Sequence, residues 1–127
     1  MAKSICWPPP FVVKILFDHC VPRRLRWHFP DHEVKTTSEM GWSTYKNGAL
    51  LSAAEADGFG VFLTVDQNIE HQQNLSGRTI AVLVLVASSN RLEDLILLVS
   101  RAEPVLPAIQ PGQIVRVEIP AEPEASS

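Results

Sequence analysis

Cysteine, tyrosine and long apolar runs are scarce in this 127-residue chain, and each scarcity removes a class of protein. Only Cys6 and Cys20 carry thiols. Two cysteines build no disulfide framework, and neither belongs to a CxxC pair, so both read as reduced thiols. The longest apolar stretch, Ile80 to Ala87, falls far short of the about 20 residues that a membrane-spanning helix needs. The first ten residues hold Lys3 and then Pro8-Pro9-Pro10 without an apolar centre, which is not the layout of a secretory signal. A cytoplasmic protein with no membrane partner is expected. Phosphate loops of the GxGxxG or GxxxxGK type are missing, and so is any internal repeat, which removes the common nucleotide-cofactor readings.

What is present is an ordinary globular composition with an uneven charge distribution. Nearly half the chain is apolar, at 46%, enough for one domain with a single core. The net charge of −3 conceals two halves of opposite sign. Residues 1–46 carry seven Lys and Arg against four Asp and Glu, whereas residues 47–127 carry four against ten. Arg23, Arg24 and Arg26 stand close to Asp18, as a local basic patch or as the solvated face of one helix. An overall acidic chain argues against a dedicated, high-affinity nucleic-acid binder, but it is compatible with an enzyme that touches one or two phosphates.

The order of elements is that of an α/β protein. Residues 1–10 form a Pro-rich leader and residues 120–127 a polar, acidic tail without the means to pack, expected to be disordered. Between them, residues 11–119 read as one domain. Phe11 to Asp18 is a nearly continuous apolar run, as in a strand covered on both faces. Pro22 suits the first turn of a helix to about His28 with Leu25 inward, and Pro30-Asp31 stops it. His32 to Thr37 is short, polar and β-branched, an outer strand. Asn47 is placed to cap a helix that uses Leu50, Leu51, Ala53 and Ala54 and ends at Gly58. Val61 to Val65 and Thr79 to Val86 read as buried strands, separated by one or two helical turns over Asn68 to Leu75. A helix from Arg91 to about Val105 follows, then a half-exposed edge strand, Gln113 to Ile119. This alternation predicts a three-layer, Rossmann-like sandwich with a mostly parallel sheet of four to five strands.

Two apolar strands end in an aspartate, Asp18 and Asp66. Taken alone, a strand-end aspartate serves equally well as a helix cap. As a pair on neighbouring parallel strands, the two emerge at the carboxyl edge, where open α/β sheets place ligands, and a hard divalent cation would relieve their repulsion. Glu39, just past the outer strand, is the third acid near that edge. Asn68 and Asn47 are neutral oxygen donors close by. His19 and Cys20 flank Asp18, but neighbours on an extended segment point to opposite sides and no second His/Cys pair has ligand spacing, so zinc is not indicated. Cys20 reads as a small packed residue, and His28, His32 and His71 as surface or helix-end residues.

The segment Leu16-Phe17-Asp18-His19-Cys20-Val21-Pro22 resembles the strand-end motif D-E-N-L-P of small prokaryotic PIN-like domains. The similarity runs on through His32-Glu33-Val34, Glu39-Met40-Gly41, Lys46-Asn47-Gly48-Ala49-Leu50-Leu51 and Phe62-Leu63-Thr64-Val65-Asp66-Gln67-Asn68, covering residues 13 to about 86. It implies a Rossmann-like PIN-like fold with acids that bind Mg2+ or Mn2+, and the activity of a metal-dependent endoribonuclease, often the toxin of a toxin–antitoxin pair. On that resemblance Asp18, Glu39 and Asp66 are the catalytic acids and metal ligands, with Asn68 as a further ligand. Thr64 would support the site, while Arg23, Arg24, Lys46 and Asn47 would meet the RNA. Three departures stand out: His19, Asn47 and Asn68 occupy places where the pattern commonly has acids, and each lost carboxylate lowers cation affinity. They favour an alternative, a catalytically weak or inactive PIN-like module that acts by binding a protein such as an antitoxin, with Trp42 and Tyr45 as contact residues. A homodimer is compatible with either reading.

Overall fold

The computed structural model describes residues 13–67, 69, 74–87 and 91–118; the leader, the acidic tail and much of the segment after Asp66 lie outside them. Five strands, β1 (Lys14–Phe17), β2 (Glu33–Thr36), β3 (Val61–Thr64), β4 (Ala81–Val86) and β5 (Ile114–Glu118), form one sheet in the order β2-β1-β3-β4-β5. Every neighbouring pair is parallel. Ile15 pairs with Val34 on one side and Val61 on the other, and Leu63 pairs with Leu83, so β1, β3 and β4 occupy the interior. The two strands read as outer, β2 and β5, are the edges.

The strands are continuous in apolarity because both faces of the sheet are covered. Side chains alternate between faces along a strand. Ile15, Phe17, Val61, Leu63, Leu83 and Leu85 therefore enter one core with Leu25, Phe29, Leu95, Leu98 and Val99. Leu16, Phe62, Val82 and Val84 enter the other with Leu50, Leu51, Ala54, Phe59 and Ile80. The first core is capped by a 3-10 helix, Arg23–His28, and by α3 (Leu92–Ala102), which a 3-10 turn at Glu103–Val105 extends. The second is capped by α2 (Asn47–Ala56). The result is the expected three-layer α/β architecture, and no helix among the described residues is long and apolar enough to cross a membrane.

Several local details differ from the sequence reading. The helix after β1 is a 3-10 helix with Pro22 at its N-cap, Leu25 fully buried and Arg23 and Arg24 exposed. Lys46, not Asn47, is the N-cap of α2, and Asn47 is its first residue. A four-residue helix, α1 (Thr37–Met40), follows β2. Thr36 and Glu39 form its capping box, and Gly41 ends it in the left-handed region at φ 77°. His32 is buried rather than on the surface: its Nδ1 accepts from the Val13 amide at 3.0 Å, and its Nε2 lies 3.7 Å from Glu103. Trp42 is half-buried against the α2-side core, stacked on Tyr45 and edge-on to Phe59.

Candidate functional site at the carboxyl edge

In the order β2-β1-β3-β4-β5 the chain leaves β1 toward β2 on one side and reaches β3 on the other. The carboxyl ends of β1 and β3 therefore bracket the topological switch point, where a crevice opens in doubly wound sheets. Asp18 follows β1 and Asp66 stands two residues beyond β3. The Asp18 amide donates to the Leu63 carbonyl at 2.9 Å, which prolongs the strand pairing by one residue and fixes the acid at the edge.

Asp18 is 6% exposed, and four donors surround its carboxylate. Oδ1 accepts from the His19 amide at 2.8 Å and lies 3.0 Å from His19 Nδ1. Oδ2 accepts from the Thr64 hydroxyl at 2.8 Å and from the Cys20 thiol at 3.5 Å. Thr64, itself fully buried, accepts the Asp66 amide on the same oxygen at 3.0 Å. Thr64 thus ties the two strand ends together. Burial pushes the Cys20 thiol above its ordinary value, with the Asp18 charge adding to that and the Val65 amide working against it. His19 and Asp18 were expected to point to opposite sides. They meet because the chain leaves the strand at once: the Val21 amide donates to the Asp18 carbonyl at 3.0 Å, and the turn folds His19 back over the acid.

Glu39 is engaged elsewhere. Its Oε1 accepts from Arg26 at 2.7 Å and from the Thr36 amide at 2.9 Å, while its own amide donates to the Thr36 hydroxyl at 3.2 Å. The Arg26 hydrogen bond holds its carboxyl below the usual glutamate range, against a smaller opposing effect of burial. The pattern Thr36-x-x-Glu39 is a capping-box signature that the sequence displayed and that accounts for the short helix. Asn68 lies outside the described residues, as does the side chain of Asn47.

Tested for a divalent ion, the described part of this donor set does not form a ligand shell. Among the described residues no group of three His, Cys, Asp or Glu side chains is arranged to hold a metal. Asp18 faces donors on both oxygens, and Glu39 is held by an arginine. What the edge does have is a cleft of about 440 Å³ lined by Asp18, His19, Arg23, Arg24, Thr36 and Ser38, among others. His19 reaches it with 76% of its side chain exposed. Of the three arginines, Arg26 is paired with Glu39, whereas Arg23 and Arg24 form no ion pair among the described residues. Lys46 is exposed at the cap of α2 and does not line this cleft.

No family model matches the chain, and neither a curated protein nor a solved structure is significantly similar to it.

Proposed function

We propose that the protein is a PIN-like module that engages RNA at the carboxyl edge of its sheet and does so without a metal centre. The observation that carries this reading is the cleft at the carboxyl ends of β1 and β2, where two arginines that form no ion pair among the described residues stand beside a buried acid and two hydroxyl residues. Arginine matches phosphate oxygens in a planar, bidentate way, and two of them suffice to fix one or two backbone phosphates. The Glu39–Arg26 pair and the capping box speak against recruiting Glu39 as a third metal ligand, since both would have to break. The test is fluorescence anisotropy of a labelled single-stranded RNA in EDTA. Binding in EDTA that weakens when Arg23 and Arg24 are both replaced by Ala supports the proposal; binding that appears only with manganese counts against it.

A second reading keeps the metal-dependent ribonuclease of the toxin type. It is favoured by the Asp18–Thr64–Asp66 connection, which holds two acids at adjoining strand ends. Isothermal titration with Mn2+ separates the two: heat that disappears in Asp18→Asn supports this second reading. An antitoxin-like protein partner would use the Trp42–Tyr45 stack, whose rings lie 6.2 Å apart with Tyr45 exposed.

A further inference from the structure

We propose that Trp27 is a stacking platform for a nucleobase, and that the 3-10 helix Arg23–His28 leads a single-stranded RNA from the cleft beside Asp18 to a second groove that the same helix lines. This rests on RNA being the ligand of the edge and adds a base site to its phosphate contacts.

The starting point is an uncovered indole. Trp27 is 71% exposed and makes no ring contact among the described residues, whereas Trp42 is engaged by Tyr45 and Phe59. A single exposed apolar side chain would need no explanation by itself. Trp27 differs in where the helix puts it. Residues three apart eclipse one another in a 3-10 helix, which rises about 2.0 Å per residue. Arg24 and Trp27 therefore share one column, about 6 Å apart along the axis, and both are exposed.

The two residues open on different recesses. Arg24 lines the cleft at the carboxyl ends of β1 and β2 with Arg23, and neither forms an ion pair among the described residues. Trp27 lines a groove of about 320 Å³ with Phe29, Pro30 and Val34. The basic groups of that groove are already engaged. Arg26 pairs with Glu39, and His32, whose side chain is 6% exposed, accepts the Val13 amide on Nδ1. The groove thus offers apolar surface and an open ring face, while unpaired positive charge stands one helical turn away.

This division of roles suits one nucleotide of a single strand. Its phosphate meets Arg23 and Arg24 by charge, and its unstacked base lies against the indole. A positive groove beside an aromatic ring is how single strands are held, with little regard to sequence because every base has a π-face. A duplex keeps its bases stacked on one another and has none to offer Trp27. An apolar protein segment would cover the indole but leave the adjoining arginines without a counter-charge.

The experiment measures fluorescence anisotropy in EDTA, over a range of salt, with three labelled ligands of equal length: a single-stranded RNA, the same ribose-phosphate chain without bases, and an RNA duplex. Trp27→Ala is expected to bind the single strand about 5- to 100-fold more weakly, the range for loss of one base–aromatic stack. Trp27→Leu, apolar but without a π-face, shows a similar loss, and Trp27→Phe recovers most of the affinity. The slope of log K against log salt is the same in every Trp27 variant, since a neutral side chain releases no counterion. The abasic chain and the duplex bind Trp27→Ala as they bind the unaltered chain. Because Trp27 is exposed, its replacement leaves the unfolding midpoint where it was. Full affinity in Trp27→Leu, or an equal loss toward the abasic chain, would overturn the inference. So would a dimer, seen by sedimentation velocity, that disappears in Trp27→Ala while RNA binding is kept, since the groove would then join two copies. If Trp27→Ala binds the single strand undiminished and the Arg23 and Arg24 variant does not, the base site is wrong and the RNA-binding reading stands; if the unaltered chain binds no RNA, both fall.

Discussion

At the scale of single residues the carboxyl edge is organised by hydrogen bonds that fix acids, not by acids that converge. Thr64 illustrates this, since one hydroxyl donates to Asp18 and accepts from the Asp66 amide in a fully buried position. Thr64→Val keeps the shape and removes both bonds, leaving a buried carboxylate oxygen and an amide short of a partner. A loss of roughly 1–3 kcal/mol in urea unfolding is expected. Glu39 is the second case. Its place between Arg26 and the Thr36 amide makes it a structural residue of α1, so Glu39→Ala lowers stability by about 1 kcal/mol, as loss of a cap does, and leaves any Mn2+ affinity unaltered. A fall in Mn2+ affinity in that variant would restore Glu39 to a metal site. Asp18 and Asp66 were legible in the sequence, because an acid at the end of a β-branched apolar run marks the end of a buried strand. The partnership of Glu39 was not, since it depends on Arg26 reaching across 13 positions from another element. Nor was the Asp18–His19 pair, because extended geometry separates neighbours and only the turn after β1 reunites them.

Between elements, two features join the rear of α2 to the start of β4 and the entry to β5. Glu55 on α2 accepts from Arg78 at 2.7 Å, from the Thr79 amide at 2.5 Å and from the Ile80 amide at 3.4 Å. Burial acts to raise its carboxyl, but the Thr79 amide and Arg78 outweigh it and hold the group below the ordinary glutamate range. A carboxyl lowered on folding adds stability that is fully present above the unfolded value of about 4.3 and is lost as pH falls through the lower folded value. Denaturant unfolding at pH 7 and again below that range should therefore show a smaller loss of stability on acidification in Glu55→Gln than in the unaltered chain. Gly112 precedes β5 with φ +82°, and a Cβ there would lie 3.1 Å from the Leu75 carbonyl oxygen. Gly112→Ala combines left-handed strain with that close approach, and a cost of at least about 1 kcal/mol in thermal or urea unfolding is expected. Element types were readable from period and punctuation: Gly58 closes α2 at φ 89°, as its position after the apolar stripe predicts. The 3-10 form of Arg23–His28 was not, since apolar spacing over so short a piece fits either helix.

For the whole molecule, the continuous apolar strands and the alternation of strands with helices made a three-layer parallel sandwich legible. The strand order was only partly so. Polar β2 and alternating β5 announced themselves as edges, but the placement of β1 between β2 and β3 is set by packing that no local pattern encodes. That placement creates the switch point on one side of Asp18, while the cleft lined by Arg23 and Arg24 opens on the β2 side. An acidic chain with a net charge of −3 presents a local basic cleft because Arg23 and Arg24, from the basic half of the sequence, both line it. The most direct measurement of the account is the salt dependence of RNA binding in EDTA, for the unaltered chain and for the variant with both Arg23 and Arg24 replaced by Ala. Each phosphate contact on a single strand contributes about 0.7 to the slope of log K against log salt, so removal of two is predicted to flatten it by roughly 1.4. Equal slopes for the two proteins, or binding that requires manganese, would contradict it.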